Sequence, residues 1–62
     1  MTITIGTFVE LSEMTGDSEM DAFYGQPLQV TDIATMGGIV CVQVENVDGV
    51  GIVVTANEIR EM

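Results

Sequence analysis

Positive charge is almost absent from this chain of 62 residues. It has no lysine and no histidine, and Arg60 is its only strong base, against ten aspartate and glutamate residues, so its formal net charge is −9 at pH 7. A surface of this sign repels nucleic acid and anionic membranes, and it attracts basic surfaces. We therefore expect a basic protein surface as the partner, with no direct nucleic-acid binding and no membrane binding.

The chain also lacks the groups on which many catalytic and metal sites depend. Without histidine, no imidazole can activate a serine, threonine or cysteine nucleophile. Cys41 is the single cysteine, which excludes an internal disulfide, and one thiol without histidine cannot form a structural zinc site. We expect a protein that is not an enzyme and carries no metal or cofactor, with Cys41 in the core or partly buried.

Long apolar runs are missing as well. No stretch reaches the roughly 18 residues that a membrane-spanning helix needs. The segment Met1-Thr2-Ile3-Thr4-Ile5 has neither the basic start nor the apolar stretch of a signal peptide. A single thiol without a partner fits a reducing compartment. We expect a cytoplasmic protein that forms one domain over residues 1–62.

Core-forming residues, by contrast, are plentiful. Hydrophobic residues make up 47% of the chain and aromatic residues only 5%, a composition typical of globular proteins. A chain this short buries only about 60% of the surface that its unfolded form exposes. Since a disulfide and a zinc site are excluded, a well-packed core, self-association or both must stabilise it.

Apolar and β-branched residues recur with a period of two, which predicts strands. The pattern predicts strands over 2–11 with a kink near Gly6, over 27–34, over 39–45 and over 50–54, and a last strand that Glu61-Met62 closes. In the third of these, alternation divides the side chains between two faces. One face has Val40, Val42 and Val44, and the other has Ile39, Cys41, Gln43 and Glu45.

Glycine and capping residues predict where the strands end. Met36-Gly37-Gly38 is typical of a turn, and Asp48-Gly49 predicts a hairpin because these residues tolerate positive φ. The spacing from Thr55 to Glu58 is that of a capping box. Since few residues follow, we expect it to cap a single 3-10 turn, after which Ile59 returns to the core.

Residues 12–26 break the strand pattern and predict a long loop. Within it, residues 18–21 resemble a capped helical turn. Met20, Phe23 and Tyr24 are expected to fold back onto the core from this loop. A loop of this length is more often packed or functional than loose.

The alternation of Asp17, Glu19 and Asp21 invites comparison with a calcium-binding loop. The EF-hand template requires glycine at its sixth position and glutamate at its twelfth. Counted from Asp17, these positions hold Ala22 and Leu28, so the template fails. No metal site is expected, although weak binding of a divalent cation by this loop stays open.

Two stretches resemble conserved parts of the SH3-like barrel family. Residues 24–30, Tyr-Gly-Gln-Pro-Leu-Gln-Val, look like the family's Gly-Asp-x-Leu-x-Val stretch, which begins the strand after the first loop. Residues 51–59 resemble the closing Gly-x-Phe-Pro-x-Asn-Tyr-Val. The resemblance implies an all-β fold: a small five-stranded SH3-like barrel with a long first loop and a short 3-10 turn near the C-terminus.

The same comparison argues against the family's peptide-binding function. SH3 domains that bind proline-rich peptides use a platform of aromatic residues. This chain has no tryptophan, and it has Thr55 and Glu58 where the family has a proline and a tyrosine. Without stacking surfaces, a polyproline helix has little to dock on. The resemblance therefore implies the barrel without proline-peptide binding.

Two functional hypotheses follow. The first is a non-catalytic acidic interaction module, resembling phage-encoded inhibitors, that docks on a basic, nucleic-acid-binding surface of a host protein. Its expected contact residues are five acids: Glu10, Glu13, Asp17, Glu19 and Asp21. The alternative is a structural or assembly subunit that self-associates through strand edges or an apolar face. The apolar residues that do not all fit a core of this size are Met14, Met36, Ile39 and Ile52.

Overall fold

Segments rich in β-branched residues form the strands of the computed structural model, which describes residues 3–14 and 16–62. The five strands are β1 (Phe8–Leu11), β2 (Leu28–Met36), β3 (Ile39–Glu45), β4 (Gly51–Thr55) and β5 (Ile59–Glu61). One helix of a single turn, α1 (Ser18–Asp21), lies between β1 and β2, and a 3-10 turn (Ala56–Glu58) joins β4 to β5. The fold is all-β, which confirms the class that the sequence predicts.

The strands form one antiparallel sheet with the order β4-β3-β2-β1-β5. The first four strands are neighbours in chain order, and β5 returns to pair with β1. Two further backbone bonds extend this last pairing, from Ser12 N–H to the Glu58 carbonyl and from Met62 N–H to the Phe8 carbonyl. Strands β4 and β5 are the two edges, so hydrogen bonds do not close the described sheet into a barrel.

One side of the sheet forms the core. Alternation along each strand sends every second side chain to this inner side, where aliphatic residues pack together with one phenylalanine. Each fully buried aliphatic side chain contributes about 1.5–3 kcal/mol relative to exposure. The buried residues are Val9, Leu11, Phe23, Leu28, Val30, Val42, Val44, Val54 and Ile59, and Ile59 is therefore in the core as the sequence predicts.

Two glycines form the turn of the β2–β3 hairpin. Gly37 and Gly38 both have positive φ, 58° and 81°, as a two-residue type I′ turn requires. Because the turn is this tight, β2 continues to Met36 rather than ending at residue 34 as predicted. The hairpin therefore extends beyond the core, and Val40 is exposed although it shares a face with the buried Val42.

A β-bulge in β2 changes which side chains face the core. The pairing with β3 shifts register between Val30 and Asp32, leaving Thr31 as the extra residue. The Thr31 hydroxyl donates to the Gln43 carbonyl across the strands at 3.3 Å. After the bulge, Ile33 faces inward, opposite Val42, and Asp32 turns outward. The bulge therefore changes the phase of the second half of β2.

Several predicted strand boundaries are wrong. The first strand begins at Phe8 rather than residue 2, because Gly6, with φ of 94°, lies in a turn. Gly6 N–H still donates to the Val30 carbonyl at 2.8 Å, so this segment lies along β2. Thr2, the predicted start, lies outside the described residues. The fourth strand is Gly51–Thr55 rather than 50–54, and the fifth begins at Ile59 and ends at Glu61.

The predicted hairpin turn at Asp48-Gly49 and the predicted capped 3-10 turn are both confirmed. The Asn46 carboxamide oxygen accepts from Asp48 N–H at 2.9 Å and Val50 N–H at 3.0 Å, which organises the turn containing Gly49. In the 3-10 turn, Glu58 Oε1 accepts from the backbone N–H and the hydroxyl of Thr55, both at 2.8 Å. The Glu58 side chain therefore has a local structural role.

Candidate interaction surface

The segment that carries the predicted contact residues, residues 10–21, is here called the acidic segment. Its one-turn helix begins after Asp17, and the loop beyond that helix is anchored by Phe23, which is buried, and by Met20, which is half-buried against the core. Tyr24, predicted to join them, is exposed, so that prediction is wrong. The prediction of a packed loop is confirmed for the part that contains Met20 and Phe23.

Glu10 differs from the other predicted contacts because it has a cationic partner. It lies on β1 opposite Arg60 of β5, and Arg60 Nε donates to Glu10 Oε1 at 2.7 Å. Because Arg60 is the only lysine or arginine in the chain, no second such side chain can pair with another acid.

Asp17 and Asp21 stabilise the local fold of the acidic segment. Asp17 is the N-cap of α1, and its Oδ1 accepts from Glu19 N–H at 2.9 Å. Asp21 Oδ2 accepts from Gly16 N–H at 3.1 Å. Carboxylates in the first turn of a helix are favourable because the backbone N–H groups point toward them. Replacing either aspartate therefore perturbs the segment's structure as well as its charge.

Glu13 and Glu19 are the predicted contacts best placed to meet a partner, since both are exposed and neither is the N-cap of α1, as the exposed Asp17 is. Glu13 borders a depression of about 370 Å³ whose other walls include Met14 and Glu58. The structure thus brings Glu13 near a carboxylate from the far end of the chain, which the sequence could not indicate. Thr15, between the two glutamates, lies outside the described residues.

Acidic side chains are not confined to the acidic segment. Five of them belong to β2, to the end of β3, to the turn after it, to the 3-10 turn and to β5: Asp32, Glu45, Asp48, Glu58 and Glu61. Within residues 3–14 and 16–62, no three carboxylate or thiol groups come together in a way that can hold a metal ion.

The outer side of β2, β3 and β4 carries an apolar surface that we call the outer-face patch, defined as Ala34, Met36, Ile39, Cys41 and Val53. Strand pairing brings these residues together, because Met36 lies opposite Ile39, Ala34 opposite Cys41, and Gln43 opposite Val53. Met36, Ile39 and Val53 are 64%, 56% and 63% exposed. Four members of the patch line a shallow depression of about 200 Å³.

The outer-face patch has an acidic border. On the same face of the sheet, Asp32 lies opposite Gln43 and also lines the depression. Glu45 continues this face along β3, next to Gly51 of β4. The outer face is therefore apolar toward the β2–β3 turn and acidic toward the opposite end of β3.

Sequence reasoning found only part of this surface. It named Met36 and Ile39 among the residues that do not all fit the core, and both are exposed, as is Met14. Ile52, named with them, is half-buried and packs against the core. Cys41 is half-buried, as expected, but on the outer face.

Val53 was missed, since its position on the outer face depends on its register with Gln43. The alternation in β3 was the available signal, because it already placed Ile39 and Cys41 on one face.

Comparison of the chain with protein-family models, with curated proteins and with solved structures finds no match. Among the helices of residues 3–14 and 16–62, none has the length and apolar character needed to cross a membrane.

Proposed function

We propose that this chain is a non-catalytic acidic module that docks on a basic surface of another protein. The observation that carries the proposal is the Arg60–Glu10 ion pair, which occupies the chain's only cationic side chain with one of its own acids. The other nine carboxylates have no lysine or arginine among them, because Arg60 is the only such residue in the chain. Such a field favours cationic partners and disfavours anionic ones.

The basic surfaces that suit this module best are those that proteins use to hold nucleic acid, since these are rich in lysine and arginine. A bound acidic module would exclude nucleic acid from such a surface, which is the action of an inhibitor of the phage type. Electrostatic attraction would speed the encounter, and salt would weaken it. The lone thiol of Cys41 supports a cytoplasmic location for this interaction.

A small SH3-like barrel is the scaffold that we propose for the module. Three features support it: β5 pairs with β1, strands β1 to β4 are neighbours in the sheet in chain order, and a 3-10 turn joins β4 to β5. In this arrangement side chains rather than backbone hydrogen bonds would fill the gap between β4 and β5. A closed scaffold presents its surface without rearrangement on binding, which reduces the entropic cost of docking.

The test is affinity capture from the lysate of the native cells at about 50 mM salt, followed by mass spectrometry. We expect basic nucleic-acid-binding proteins, released by added nucleic acid. The double variant Glu13→Gln, Glu19→Gln should capture less of them, since both side chains are exposed members of the acidic segment. The control is Asp48→Asn, Glu61→Gln, which removes the same charge elsewhere.

The capture experiment has two results that count against the proposal. If the bound proteins are not basic, or if capture is unchanged at about 300 mM salt, electrostatic docking is wrong. If both double variants capture equally less, net charge rather than the acidic segment determines binding, and the predicted contact residues are wrong.

Self-association is the second proposal, and the exposed Met36, Ile39 and Val53 on one face favour it. A structural or assembly subunit would cover this face with another copy, or pair an open strand edge such as β4 with one. Sedimentation at micromolar concentration tests it. A strict monomer would contradict this proposal, and a dimer that survives low salt would support it.

A further inference from the structure

We infer that the outer-face patch is the apolar centre of the docking surface, and that its occupant is a basic protein segment rather than a second copy of this chain. The inference rests on the proposed function and adds to it a second contact region outside the acidic segment. It also gives the chemistry of the partner, which must combine apolar side chains with neighbouring lysine or arginine.

The first support is the geometry of the β2–β3 hairpin. The tight turn at Gly37 and Gly38 carries the last strand pairs beyond the core. Met36 and Ile39 lie opposite each other on the outer face at this end of the hairpin, and both are more than half exposed. Apolar residues grouped on one face, rather than scattered singly, mark an interaction site in a soluble protein.

The second support is charge complementarity. Asp32 lies in the wall of the same depression as Met36 and Val53, and Glu45 continues the outer face along β3. A partner that places an apolar side chain in the depression therefore brings its flanking residues to these carboxylates. Interfaces of this type have an apolar centre and a charged rim, with the rim charges contributing specificity and association rate.

The same carboxylates argue against a second copy as the occupant. Two copies joined symmetrically through this patch bring two surfaces of the same charge together, with Asp32 and Glu45 of both chains at the border of the shared interface. Each copy carries a net charge of −9, and the only cation, Arg60, already pairs with Glu10 on β1. Like charges gathered at the border of one interface repel each other even in water.

The test uses two synthetic peptides of eight residues and equal charge, one alternating lysine with valine and one alternating lysine with serine. Binding is measured by fluorescence anisotropy at about 50 mM salt. We expect the wild-type chain to bind the lysine–valine peptide at least about tenfold more tightly. The patch variant Met36→Gln, Ile39→Thr, Val53→Thr should lose this preference and bind both peptides alike.

The matched control variant, Met14→Gln, Val47→Thr, Val50→Thr, removes three exposed apolar residues that lie outside the patch. It should retain the tenfold preference. Circular dichroism should show that both variants are folded, because every substituted side chain is exposed. A control variant that loses the preference as well would overturn the inference.

The outcomes separate this inference from the proposed function. If both peptides bind wild type equally and salt weakens both, docking on basic surfaces stands and the outer-face patch is not its centre. If neither peptide binds the wild-type chain, both this inference and the proposed function are wrong. If sedimentation shows a dimer of the wild-type chain that the patch variant abolishes, the occupant is a second copy and the inference is wrong.

Discussion

At the scale of the residue, the carboxylates of this chain have unequal roles. Glu58 caps the 3-10 turn, Asp17 caps α1 and Glu10 pairs with Arg60, whereas Glu13 and Glu19 are simply exposed. The sequence predicted the Thr55–Glu58 cap because its spacing is local. It could not rank the five predicted contacts, because the partner of Glu10 is fifty residues away.

The Arg60–Glu10 pair should contribute little to folding. The two side chains are 61% and 29% exposed, and pairs this exposed typically contribute about 0.2–1 kcal/mol. A double-mutant cycle of Arg60→Gln and Glu10→Gln, followed by urea unfolding, is expected to give a coupling energy in this range that decreases with added salt. A coupling well above this range, unaffected by salt, would contradict the exposed geometry.

The hydrogen bonds that Glu58 accepts from Thr55 should contribute more to the free energy of unfolding than its negative charge does. Glu58→Ala removes the acceptor for two Thr55 donors, and such a loss costs about 1 kcal/mol in the free energy of unfolding. Glu58→Gln keeps the Oε1 acceptor and serves as the matched variant, with a smaller expected loss in urea unfolding. Equal losses would mean that charge, and not the hydrogen bonds, is what Glu58 supplies.

At the scale of the element, β3 and its two turns were predictable and β2 was only partly so. The bounds of β3 follow from alternation, and both its turns follow from glycine-containing pairs that accept positive φ. The end of β2 and the bulge at Thr31 were not predictable in the same way. They depend on the register with β3, which local periodicity does not contain.

The β3–β4 turn depends on Gly49, whose φ is 80°. Replacing Gly49 with alanine places a side chain in the left-handed region, and we expect a loss of about 1 kcal/mol or more in the free energy of unfolding. Val47→Ala, in the same turn and exposed, is the control and should be close to neutral in thermal unfolding. If Gly49→Ala left the free energy of unfolding unchanged, the turn could not have the conformation described.

The acidic segment is held to the core through Phe23. Phe23→Leu reduces this packing, and we expect faster amide hydrogen exchange at Asp21 and Tyr24, whose N–H groups donate within the loop. Exchange in β3 should change much less. Tyr24→Leu, at an exposed neighbour, should leave the loop amides unchanged, and uniform acceleration across the chain in the Phe23 variant would argue against local anchoring.

At the scale of the whole molecule, strand periodicity predicted the fold class and composition predicted the sign of the net charge. Alternating β-branched residues indicated five strands, and residues 3–14 and 16–62 contain five. Closure of the sheet was not predictable, because it depends on how β4 and β5 approach each other after β5 has paired with β1. The outer-face patch was found only in part, because strand pairing joins Val53 to residues distant in sequence.

The measurement that tests the central claim most directly is the affinity of the wild-type chain for its captured partner as a function of salt. If an anionic surface docks on a cationic one, we expect the affinity to fall at least about tenfold between about 50 and 300 mM salt, because screening weakens the attraction. An affinity that stays constant over this range, or a partner surface without clustered lysine and arginine, would contradict the claim.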